Sequence, residues 1–141
     1  MALLNIANRS FGAFYRNLAG IADYTLAHAR AFGFDGKALY AIELALDEAC
    51  ANIIDHAYEG EGLGSIDLQI FSDESEFIIE LEDTGKAFNP EAVPEPDLIS
   101  PLEMRSERGL GVYTIRKLMD RVEFSHEGNK NRLIMGKRRP I

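Results

Sequence analysis

A single cysteine, Cys50, occurs among the 141 residues, so the chain can close no intramolecular disulfide and build no thiolate metal cage. That usage suits a reducing compartment. No window approaches the roughly 20 consecutive apolar residues that a bilayer-spanning helix needs. The opening MALLNIANRSFGAF also lacks a basic segment followed by a long apolar run. A soluble, cytoplasmic protein with no membrane partner is expected. Lysine and arginine number 15 against 23 acids, so the excess of positive charge that neutralises a phosphate backbone is missing and direct nucleic-acid binding is not expected. Internal repeats and low-complexity tracts are absent too. What remains is an ordinary globular composition, 46% hydrophobic and 27% charged, of a length that suits one domain, 1–141, around one core.

The net charge of −8 is unevenly spread. Residues 37–104 hold seventeen acids and two lysines, whereas residues 105–141 hold ten basic residues and four acids. The first 36 residues are close to neutral, so the chain divides into an acidic middle and a basic last quarter.

Phe11, Phe14, Leu18, Ile21, Leu26 and Ala29 recur at three and four, which predicts an amphipathic helix over 10–31. A second helix is expected over 37–57 on the stripe Leu39, Ile42, Leu46, Ala49 and Ile53, stopped by Gly60, Gly62 and Gly64. Residues 65–71 and 76–81 alternate apolar and polar around Ser-Asp-Glu-Ser and read as a β-hairpin. A stretch holding Pro90, Pro94, Pro96 and Pro101 follows, too proline-rich for a continuous helix. A third helix is expected to open at Gly109-Leu110-Gly111. Strands over 122–126 and 132–135 would close the chain as a hairpin around Gly128-Asn129-Lys130. Segregated helices and strands point to an α+β fold: a two-layer α/β sandwich with a mixed, mainly antiparallel sheet covered by helices on one face.

Three segments carry candidate chemistry. Glu48 and Asn52 lie four apart and project from one helix face, where a carboxylate can position a hydroxyl and an amide oxygen can take a hard cation. The same pair would also serve as a solvated helix flank. Asp83-Thr84-Gly85 follows an apolar strand; a carboxylate there can accept a hydrogen bond from an exocyclic amine, though Asp-x-Gly is also common turn chemistry. Arg108-Gly109-Leu110-Gly111 opens a helix whose free N–H groups could hold phosphate, or whose small residues could serve packing alone.

Taken in order, these segments resemble a known set. ELALDEACANIIDHAY resembles the N-box, LEDTGKAFNP the first glycine box and RGLGVYTIRKLMD the second glycine box of the histidine-kinase-like ATPases, over about residues 10–138. Within that superfamily the chain is similar to the stand-alone bacterial anti-sigma factors that are also serine-protein kinases. The resemblance implies ATP and Mg²⁺ as cofactors, Glu48 as the catalytic carboxylate, and Asn52 as the metal ligand. Asp83 would bind the adenine amine with Gly85 permitting its approach. Residues about 91–108 would form an ATP lid, and Phe88, Arg108, Gly109, Leu110, Gly111 and Asn131 would complete the nucleotide site. The implied partners are a sigma factor and a STAS-domain antagonist phosphorylated on serine, with a homodimer as a further option.

Some positions depart from the family pattern. Glu107 stands where the second glycine box usually has Gly, and Asn131 where a Thr is usual. The partner-contacting Arg of the first helix falls at Ala22, with Arg16 nearby. His56 and Tyr58 match the family's His-Ala-Tyr helix ending, and a packed role is expected for both. Cys50 is expected to be a buried thiol, and His28, His56 and His126 lack the spacing of a zinc site. Lys137-Arg138-Arg139 reads as a solvated tail. The alternatives are a non-catalytic nucleotide-responsive binding module, or a histidine-kinase catalytic domain, against which no dimerising helix with a phospho-acceptor His is read ahead of the N-box. The charge split fits a Mg-ATP site, with acids toward cation and base, and Arg105 and Arg108 toward phosphate.

Overall fold

The structure, a computed structural model, describes residues 2–89 and 110–140. The elements run β1 (Leu4–Gly12), a 3₁₀ turn (Tyr15–Asn17), α1 (Leu18–Phe32), α2 (Gly36–Asn52) continuing into a π-helical turn (Ile53–Ala57), β2 (Ser65–Ser72), β3 (Glu76–Asp83), α3 (Leu110–Leu118), β4 (Arg121–Glu127) and β5 (Lys130–Arg138). The five strands form one sheet in the order β1-β2-β3-β5-β4. Every described pairing is antiparallel, so the mixed character expected of the sheet is not observed. The fold is α+β.

One sheet face carries the core. Ile66, Leu68 and Ile70 of β2, Phe77, Ile79 and Leu81 of β3, and Leu133 and Met135 of β5 pack with Ile21 and Leu26 of α1, Ile42 and Leu46 of α2 and Ile115 of α3. Burying each such side chain fully is worth about 1.5–3 kcal/mol, so this face dominates stability. The opposite face is held by ion pairs. Arg132 Nε lies 2.7 Å from Glu80 and its Nη2 3.5 Å from Glu82, while Arg121 reaches Glu76 and Glu123 at 3.4 and 3.3 Å. Burial pushes the Glu80 carboxyl up from its ordinary value, and the Arg132 guanidinium partly offsets that.

The expected first helix begins too early. Ser10, Phe11 and Gly12 belong to β1, opposite Asp67, Ile66 and Ser65, and the helix starts only at Leu18. Phe11 and Phe14 match helical spacing by coincidence. The strand is an edge with Leu4 and Ile6 exposed, so it shows little alternation, and its partner lies 57 positions away at Ser10. The second helix agrees, except that its last turn widens to i→i+5 bonding, with the Tyr58 N–H donating to Ile53 O at 2.9 Å. The 65–81 hairpin forms, its turn built on Asp73, whose Oδ1 accepts from Ser75 N and Glu76 N at 2.8 Å each. Those bonds hold the Asp73 carboxyl below its usual range.

Lys137-Arg138-Arg139 is not a solvated tail. Lys137 and Arg138 extend β5, with Lys137 Nζ donating to Leu118 O at the end of α3 (2.7 Å). Arg139 donates from Nη1 to Phe32 O (2.7 Å) and from Nε to Glu74 O (3.1 Å), its guanidinium 3.9 Å over the Phe32 ring. Two unpaired helix-end carbonyls are thereby satisfied. Ala22 is buried in the core, whereas Arg16 is exposed and lies 3.9 Å over the Phe14 ring. No helix among the described residues is long and apolar enough to cross a membrane.

Candidate functional site

Between the helices and the end of the sheet where β3 finishes and β5 begins lies a cleft. Ala49 and Asn52 line it from α2, Ile53 from the π-helical turn, Leu81 and Asp83 from β3, Asn131 and Leu133 from β5, and Ile115 from α3. Phe124 of β4 and Phe88 close another side, their rings 5.1 Å apart. Apolar walls with a few polar groups at the bottom are the usual make-up of a small-molecule site.

Asp83 ends β3 and is buried. Its Oδ1 accepts from Gly85 N and from Asn131 Nδ2, both at 2.9 Å. Among the described residues none donates to Oδ2, and no buried polar side-chain atom lacks a partner. Asp83 lines the cleft, and Oδ2 is the oxygen that the described residues leave for a ligand N–H. Gly85 has a positional reason: a Cβ there would lie 2.5 Å from the backbone C and O of Ala57. The turn closes on the π-helical end of α2, with Lys86 N donating to Ala57 O at 2.7 Å. Tyr58 braces the same junction, donating to Ser65 O (2.7 Å) and accepting from Thr84 N (3.0 Å). The packed role expected of Tyr58 is thus observed. His56, in contrast, is exposed at the end of the π-helical turn, so the packed role expected of it is not observed.

Glu48 and Asn52 lie on the flank of α2 facing α3. Gly111, in the first turn of α3, comes so close that a Cβ would stand 2.9 Å from Asn52 Nδ2 and 3.3 Å from Glu48 Oε2. A carboxylate, an amide oxygen and a helix N-terminus thus meet in one place, although they are about sixty residues apart in sequence. No group of three or more His, Cys, Asp or Glu forms a metal cage among the described residues. One amide oxygen beside one carboxylate suits a Mg²⁺ ion that keeps waters and takes its other ligands from phosphate. Behind this pair, burial, with Glu43 and Glu48 adding repulsion, pushes the Asp47 carboxyl up. Burial pushes the Cys50 thiol up to about 12, which makes it inert.

Of the residues singled out from sequence, Asn52, Asp83, Phe88 and Asn131 line the cleft, Gly85 supports its floor, and Glu48 and Gly111 adjoin Asn52. Arg108, Gly109 and the 91–108 segment lie outside the described residues, as does the Leu110 side chain. Sequence reading missed Phe124, Ile115 and His126. The alternation Val122, Phe124, His126 carried the signal that these share one strand face, but not which face.

The family described as histidine kinase-like ATPase domain matches residues 11–137. Among curated relatives, the serine-protein kinase RsbW of Halalkalibacterium halodurans is 32% identical over 103 residues, 70% of this chain and 62% of its own. That of Bacillus mycoides is 34% identical over 103 residues (70% and 64%), and that of Bacillus cereus 32% over 114 (78% and 66%). The matches therefore span a little under two thirds of these relatives' length.

Proposed function

Because the chain belongs to the histidine kinase-like ATPase domain family, we propose that its cleft binds Mg-ATP and that it is a serine-protein kinase and anti-sigma factor, as the family resemblance implies. One observation carries the reading: Asp83 and Asn52 line the same largely apolar cleft, and Glu48 and Gly111 adjoin Asn52. In this reading the purine lies between Ile53, Leu81, Ile115 and Leu133 and donates its amine to Asp83. Asn52 Oδ1 would hold Mg²⁺, which supplies charge neutralisation to the phosphates. Glu48 takes the proton of the acceptor serine as its Oγ bonds to the γ-phosphorus and the bridge to ADP breaks. Positioning and electrostatics are what such a transfer requires.

The acceptor is a serine on a STAS-type antagonist, whose phosphorylation keeps it from displacing the bound sigma factor. We read residues 1–141 as one ATPase domain acting in the cytoplasm, where such partners reside. Glu107, in place of the usual Gly, favours the second reading, a nucleotide-responsive module without transfer.

Calorimetry with Mg-ATP and γ-labelled ATP with a cognate antagonist test both. Glu48→Gln is expected to retain ATP binding but to lose transfer by about 10²-fold or more, as for other general bases. Asn52→Ala is expected to lose Mg²⁺-dependent binding. Transfer undiminished in Glu48→Gln would sink the assignment, and binding without transfer in the wild type would favour the module.

A further inference from the structure

We propose that Asn131 is the positioning residue that makes the cleft select a 6-amino purine, acting through Asp83 and not by contact with the base; this rests on the nucleotide reading above. Asn131 is buried and sits directly opposite Asp83 in the β3–β5 ladder and opposite His126 in the β4–β5 ladder. Its amide nitrogen donates to Asp83 Oδ1 (2.9 Å) and Lys86 O (2.9 Å), with Gly85 O at 3.4 Å. Its amide oxygen accepts from Phe88 N (3.1 Å) and faces His126 Nδ1 at 3.0 Å. Acceptors on one end and a backbone N–H on the other admit a single orientation of the amide. By the same logic His126 carries its hydrogen on Nδ1.

Both amide hydrogens of Asn131 are thus used inside the protein, leaving none for a bound base. What Asn131 determines is where Asp83 points. Oδ1 is held by two donors, which fixes the carboxylate and leaves Oδ2, to which no described residue donates, for the ligand. A 6-amino group satisfies that oxygen; a 6-oxo group would set two acceptors against each other, and a purine with hydrogen at C6 would leave it unmet. The Phe88 N–H bond ties the same amide to the aromatic side of the cleft, so one residue sets both the carboxylate and the Phe88 segment.

The test compares ATP with purine riboside 5′-triphosphate by calorimetry on the full chain. The wild type is expected to prefer ATP by about tenfold or more, the worth of a hydrogen bond to a charged group. In folded Asn131→Leu and Asn131→Ser the ratio is expected to fall to within about twofold of unity, because the loss from the released Phe88 segment is common to both triphosphates and cancels in the ratio, whereas the loss of the amine-reading bond falls on ATP alone. A folded variant that keeps the wild-type ratio overturns the positioning role and leaves the nucleotide reading standing, as does equal affinity of the wild type for the two triphosphates. A wild type that binds neither overturns both. Hydrogen exchange on the unaltered chain gives a readout independent of variants: the Asn131 side-chain amide is expected to be protected before nucleotide is added. Protection that arises only with ATP would make Asn131 a direct ligand and overturn the inference.

Discussion

At the scale of single residues, the candidate site is organised by what is small. Gly111 leaves room for Glu48 and Asn52 beneath the first turn of α3, and any side chain there would fall on the groups proposed for catalysis. Gly111→Ala separates stability from function. Alanine favours a helix over glycine by about 1 kcal/mol, so the melting temperature is expected to hold or rise. ATP affinity is expected to drop by about tenfold, because the new methyl must displace Asn52 or Glu48 by a few tenths of an ångström in a site where geometry decides. Unfolding curves and calorimetry on one preparation check both halves, and unchanged affinity would show that the close approach is packing alone. Glu48, Asn52, Asp83 and Gly85 were legible in the sequence because their residue types at their spacings suggest chemistry. Phe124 and His126 were not, because an aromatic or a histidine on a strand gains meaning only from what lies opposite.

At the scale of elements, the structure differs from the periodicity at both ends of the chain. The last basic residues read as tail because nothing local engages them, yet Arg139 joins the C-terminal end of α1 to the β2–β3 turn. Arg139→Ala is expected to cost about 1–2 kcal/mol, the sum of two hydrogen bonds and a guanidinium–ring contact at a partly exposed site. Denaturant unfolding measures it, and a loss under a few tenths would reduce the latch to a surface contact. At the other end, β1 was misread because its pairing with β2 is long-range. A strand whose hydrophobic residues are exposed at the edge has no pattern for a helix search to reject. Helices α1 and α2 and both later hairpins were legible, each being fixed by local spacing and turn chemistry, as in the Asx turn at Asp73.

At the scale of the whole molecule, the surplus of acid has a consequence for stability. The Asp47 carboxyl is raised in the fold, first by burial and then by Glu43 and Glu48, and Glu80 is raised by burial. A carboxyl whose pKa is higher folded than unfolded binds its proton more tightly in the fold. Its contribution is complete below the unfolded value and is lost as pH rises through the folded one. Asp47→Asn is therefore expected to raise the melting temperature at neutral pH, with a gain that shrinks as pH falls toward the ordinary value of 3.8. A gain independent of pH, or a loss, would count against the burial account. The sequence by itself determined the α+β class, most of the element order and the residues with chemistry to offer, because periodicity, turn residues and side-chain type are local properties. Only the tertiary structure decided that Asn52, Asp83, Phe88 and Asn131 share one cleft, that Gly111 lies against Glu48, and that one oxygen of Asp83 is held by Gly85 and Asn131. Those are distances between segments tens of residues apart, set when helices close over a sheet, and no spacing along the chain encodes them.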